Sequence, residues 1–168
     1  MTVPADMRRV LRALAGKPCW HVSAGLGTGS TFQLALGAKV PRAKPLANPA
    51  QPAAYRKFEG ECALMVWCAW RLDGPKGPVV SSDAADVVVD RLLTRALRGR
   101  TVERARITVP LAWDLEVAFD RGLVLRVFCD HLPGDPSFDG NYEVVLPDRE
   151  LAVGPGRKWE VLGRAERR

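Results

Sequence analysis

The stretch AGLGTGSTFQLALG, residues 24–37, opens with glycines at positions 25, 27 and 29, interleaved with hydroxyls at Thr28, Ser30 and Thr31. Such a run either cradles a phosphate or turns one strand back on another. A cradle needs a helix after the glycines, because the helix N-terminus supplies the free N–H groups and the partial positive charge. Here Phe32, Leu34 and Leu36 follow at a spacing of two, which is strand periodicity. The preceding CWHVS, residues 19–23, is aromatic and β-branched. Neither nucleotide motif is met: Ser30 stands where the dinucleotide fingerprint needs glycine, and no lysine follows the last glycine as a triphosphate loop requires. The stretch therefore predicts a β-hairpin and no phosphate site.

Working outward, residues 61–72, ECALMVWCAWRL, place Cys62, Leu64, Val66, Cys68 and Trp70 on one face of a strand and Ala63, Met65, Trp67 and Ala69 on the other. A strand apolar on both faces is expected at the centre of a sheet. Trp67, Trp70 and Trp113 are expected in the core. WDLEVAF and LVLRVFC, joined by DRG at 120–122, predict an antiparallel hairpin. TVERARITV alternates, and YEVVL, ELAV and KWEVL add further strands, with a short one at Val79–Val80. Two helices are expected. The first spans about 5–15, with Met7, Val10, Leu11 and Leu14 as its apolar stripe and Asp6 or Thr2 as cap. The second spans about 83–98, capped by Ser81 or Ser82, with Val88, Leu92, Leu93 and Ala96 as its buried face. Runs of strands with two helices predict an α+β fold with a mostly antiparallel sheet, in one domain over 1–168 with a frayed basic tail at about 163–168.

The chain has 168 residues, 47% of them hydrophobic, and a net charge of +6. This length can bury a core without metal or disulfide. No apolar run reaches membrane-spanning length, and the N-terminus lacks the shape of a secretory signal, so a cytoplasmic location is expected. Cys19, Cys62, Cys68 and Cys129 are then reduced, buried thiols. The charge is mostly arginine in a chain rich in Ala, Val, Gly and Pro, a mixture typical of GC-rich bacterial genomes. It favours an acidic partner over a basic one.

Residues 38–58 form the clearest compositional shift. Four prolines (41, 45, 49 and 52) accompany Lys39, Arg42, Lys44, Arg56 and Lys57, with no acid. This is expected to be a long extended loop that serves as a partner-binding arm. The acidic loop DHLPGDPSFDGN at 130–141 offers His131, Asp135, Phe138 and Asp139 as a second contact surface, although its Asp, Gly and Pro are also what turns require. Two C-x-H pairs, Cys19/His21 and Cys129/His131, would each face one side of a flat strand, and together would supply four zinc ligands. Their spacing is not that of zinc knuckles, and buried thiols are the favoured reading. No cofactor is expected. Ser23 and Ser30 lack a nucleophile elbow, and neither C-x-H pair sets a base against a thiol, so no catalytic residue is assigned.

The hairpin GTGSTFQLALG, then EGECALMVWCAWRL, a helix ending LRGR and DLEVAFDRGLVLRVF together resemble a set of small bacterial proteins found beside toxin–immunity and other conflict systems. The resemblance covers about residues 22–146 and transfers no site residues. It implies a non-enzymatic cytoplasmic binding protein, an immunity-type inhibitor of a toxin or effector. Inhibitors of basic nucleases tend to be acidic, and this chain is basic, so a nuclease target does not fit. The alternative is a nucleic-acid-binding accessory protein that uses the basic loop and the N-terminal arginines.

Overall fold

The computed structural model describes residues 2–25, 27, 29–134 and 140–163. Asp135, Phe138 and Asp139, and all of the basic tail beyond Gly163, lie outside the described residues. The elements in order are α1 (Ala5–Arg12), β1 (Cys19–Ala24), β2 (Phe32–Pro41), α2 (Ala53–Lys57), β3 (Phe58–Val66), β4 (Ala69–Gly74), β5 (Gly77–Ser81), α3 (Asp86–Leu97), β6 (Val102–Val109), β7 (Asp114–Phe119), β8 (Leu123–Phe128), β9 (Tyr142–Val145), β10 (Arg149–Val153) and β11 (Trp159–Gly163).

The fold is α+β and antiparallel, with its strands divided between two sheets. The first sheet runs β1-β2-β3-β9-β10-β11 and the second β5-β4-β8-β7-β6. Both contribute to one hydrophobic core. Phe32 of the first sheet meets Trp70 of the second edge-on at 5.0 Å. α3 packs against the edge strands β1 and β5, and α1 against β6 and β10. Met7, Val10, Leu11 and Leu14 are all buried, as the stripe requires.

The opening hairpin forms as β1–β2, with Val22 opposite Leu34 and Ala24 opposite Phe32. Its turn is glycine-dependent at Gly25, where φ is +90° and an added Cβ would lie 2.5 Å from Cβ of Asp90 on α3. Gly25 lets the turn pass under the helix. The 120–122 turn likewise joins β7 to β8, with Arg121 and Gly122 at positive φ.

Residues 61–72 depart from the single strand expected. β3 is central in the first sheet, but the chain breaks at Trp67–Cys68 and continues as β4 in the second. The corner is held by Asn141, which is fully buried. Its carbonyl accepts from Trp67 N (2.9 Å) and Cys68 N (3.3 Å), and its own N–H donates to Val153 O (2.7 Å). Its side-chain Nδ2 donates to Gly154 O (2.7 Å) and its Oδ1 accepts from His131 N (3.2 Å). Trp113, at φ 65°, closes the same corner: its carbonyl accepts from Tyr142 Oη (3.0 Å), and its Nε1 donates to Arg157 O (3.0 Å). Trp70 and Trp113 are core residues, whereas Trp67 is half-buried at the corner.

Both predicted helices are shorter than expected. α1 stops at Arg12 and continues as turns to Gly16. α3 begins at Asp86 because Ser82 is engaged elsewhere, its hydroxyl accepting from Trp70 N at 3.2 Å. Neither helix has a side-chain cap: Pro4 and Ala85 occupy the N-cap positions. The buried face of α3 is Val89, Leu93 and Leu97, with Leu92 and Ala96 partly buried beside it. α2 is a third helix, inside the proline-rich segment.

The Asn141→Asp substitution keeps the shape and removes only the Nδ2 donor, leaving an oxygen against Gly154 O. It should cost roughly 2–4 kcal/mol of stability, measured by chemical denaturation at pH 7, because a buried group loses its partner and gains a charge.

Candidate functional site: a clamped basic arm and an arginine row

The proline-rich segment is a folded arm and not an extended loop. β2 carries the chain outward as far as Pro41, and a bulge after Leu36 sets its direction. Gly37 at φ +78° leaves room for Glu61, whose carboxylate accepts from Ala38 N (3.1 Å) and pairs with Lys17 at 2.6 Å. On the opposite strand, a side chain at Gly60 would run into the backbone of Cys62 and Leu36. The returning chain then pairs loosely with the outgoing one through Arg42 N to Lys57 O and Leu46 N to Arg56 O, each 2.9 Å.

Arg42 is the clamp. Its Nε donates to Tyr55 O and Phe58 O, both at 3.1 Å, its Nη1 to Glu59 at 3.2 Å, and its guanidinium stacks 4.9 Å from the Tyr55 ring. Tyr55 is buried against β1, stacked on His21 at 3.9 Å, with Trp20 beside it at 6.1 Å. Gln51 Nε2 adds a bond to Ser23 Oγ at 3.0 Å. Burial pushes the His21 imidazole below its ordinary pKa; Gln51 opposes the shift, and Arg98 and Arg42 add to it. His21 is therefore neutral at pH 7.

Of the five basic residues assigned to the arm, Arg42 is consumed by this clamp, and Arg56 is half-buried. Lys39 is exposed and lies 5.1 Å from the Trp20 ring. Lys44 and Lys57 are exposed, with no acidic partner among the described residues. His131 is tied into the Asn141 corner, its Nδ1 2.9 Å from Gly140 O.

The zinc alternative loses its geometry at a bulge. Register shifts between Cys19 and His21, so the two do not share a face. Cys19 is buried in the core, while His21 stacks under the arm. Cys129 is only half-buried, with its Sγ 3.5 Å from Trp113 O. No three His, Cys, Asp or Glu side chains converge as metal ligands among the described residues. Burial drives the Cys19 thiol to about 12, and a hydrogen bond with Cys68, then burial, raises that of Cys129. Neither is ionised at neutral pH.

A second charged feature, on the outer face of the second sheet, was read along the chain only as ordinary strand alternation. Register sets Arg71 of β4 opposite Arg126 of β8, Arg126 opposite Glu116 of β7, and Glu116 opposite Arg106 of β6. Glu116 is only 5% exposed. It is bound by Arg126 (2.6 Å), Arg106 (2.8 Å) and Arg104 (3.5 Å). Asp73 is bound by Arg71 (2.7 Å) and Arg126 (3.0 Å). Burial raises the Glu116 pKa, but Arg106 and Arg126 outweigh it and hold the carboxyl below its ordinary value.

No family model, no curated protein and no solved structure matches this chain.

A depressed folded-state pKa means that Glu116 contributes stability above its unfolded value, near 4.3, and that this contribution is lost as pH falls through the lower folded value. Glu116→Gln should therefore lower stability by about 1–3 kcal/mol at pH 7, since three guanidiniums lose their counter-charge. It should cost less at pH 3, where the unfolded-state carboxyl is protonated and the advantage of the folded-state charge is declining. Urea denaturation at the two pH values measures the difference.

Proposed function

We propose that this chain is a non-enzymatic, cytoplasmic protein-binding domain whose arm docks on an acidic partner protein. The clamped arm carries this reading. Arg42, Tyr55 and Gln51 hold the segment against β1, so Lys44 and Lys57 are presented on ordered backbone with Lys39 alongside. Cations on an ordered loop lose less entropy on binding than cations on a floppy one. Tyr55 is buried and Trp20 and His21 are half-buried in the clamp, which leaves charge as the recognition feature. The resemblance to conflict-system proteins extends the proposal to neutralisation of a toxin or effector.

The double substitution Lys44→Glu and Lys57→Glu tests it. Surface changes of this kind leave stability within about 0.5 kcal/mol. Nuclease-treated lysate of the source organism, passed over the immobilised wild-type chain, should yield a specific acidic protein, and the double variant should bind that purified protein at least tenfold more weakly. Recovery of no protein, together with a gel shift of DNA or RNA whose affinity falls steeply with salt, would replace this reading with the nucleic-acid one.

A further inference from the structure

The outer face of the second sheet holds more positive charge than its structure uses. Four guanidiniums share two carboxylates, a surplus of two positive charges. An arginine side chain presents five N–H donors in a planar fork. Here Arg71, Arg104 and Arg106 leave much of that capacity facing solvent, with side chains 44%, 59% and 53% exposed. Asp114 and Asp130 sit at the Phe128 end and are engaged by backbone N–H groups of Cys129 and Ala69. Phe128, 37% exposed, lies opposite Ala69 on the same face, one row from Arg71. Arginine and aromatic residues together are the composition of interface centres.

We infer that this face is a second docking surface, separate from the arm, and that its occupant is an acidic, extended protein segment. Arg71, Arg126, Glu116 and Arg106 form a row across four adjacent strands, so Arg71 and Arg106 stand roughly 14 Å apart at three inter-strand spacings. An extended chain covers about 13 Å in four residues. Carboxylates four residues apart on such a chain, crossing the strands, reach both ends of the row. At one end Arg71 and Arg126 take a carboxylate together, and at the other Arg106 and Arg104 do. Asp73 and Glu116 hold the guanidiniums in place beforehand, so the forks are oriented before any ligand arrives.

The test uses a fluorescein-labelled peptide with glutamates at every fourth position and serines between, measured by anisotropy on the full chain. The wild type should bind it, and Arg71→Gln with Arg104→Gln should weaken binding at least tenfold with an unchanged melting curve. These two arginines are chosen because Arg106 and Arg126 carry the short bonds to Glu116. Arg71→Lys with Arg104→Lys should restore the charge and recover little of the affinity, since lysine has no fork. Absence of binding, or equal binding by the glutamine variant, overturns the inference, as does full recovery with lysine. Loss of binding in Lys44→Glu/Lys57→Glu but not in the arginine variant assigns the peptide to the arm and also overturns it. A single-stranded oligonucleotide of equal charge that binds more tightly than the peptide overturns the choice of occupant. Failure of the arm to capture its own partner leaves this result untouched.

Discussion

The two sheets meet where Asn141 takes the backbone of Trp67 and Cys68. A chain leaving one sheet for another exposes N–H groups that neither ladder can satisfy, and burying them unpaired would cost more than most single contacts return. Asn141 accepts from both, and spends its own N–H and side chain on Val153, Gly154 and His131. Because β9 starts at the next residue, this fixes β9 beside β3, and β10 and β11 follow by antiparallel pairing. Tyr142 then reaches Trp113 at the start of β7, so the same few residues set the relation between the sheets.

Most strands were legible because each has one buried face, and alternation with a turn between declares a hairpin. The corner was not legible, for a physical reason. Cys62, Leu64, Val66, Cys68, Trp70 and Leu72 are all buried, so the alternation passes through the break without losing phase. The chain changes sheets while its inward side keeps facing the common core, and periodicity carries no mark of the crossing. Residues 63, 65, 67 and 69 read as a second covered face because they are apolar, yet most are only half-buried.

The arm and the candidate zinc pairs failed for different reasons. Prolines 45, 49 and 52 do lie outside the strands, but Pro41 ends β2 opposite Phe58, and the clamp depends on Arg42 finding carbonyls 13 and 16 residues away, which no local pattern encodes. The C-x-H reading assumed a flat strand. A bulge between Cys19 and His21 separates the two side chains, and bulges leave little trace in composition. The α3 cap was misplaced because Ser82 serves the backbone of Trp70.

The arginine row was invisible because it exists only in register. Each of the segments WRLD, DLEVAF, LVLRVF and VERARITV reads as a strand with an ordinary solvated face. β6 is an edge strand, and charge on an edge discourages unwanted pairing, which accounts for Arg104 and Arg106. It does not account for Arg71 and Arg126, which sit on the interior strands β4 and β8 directly opposite one another. Like charges facing across a ladder destabilise it, and Glu116 within the row and Asp73 beside it offset this. Threonine or valine at those positions would make a simpler sheet. The arrangement therefore exceeds what folding asks of this face, and the excess consists of guanidinium donors directed outward.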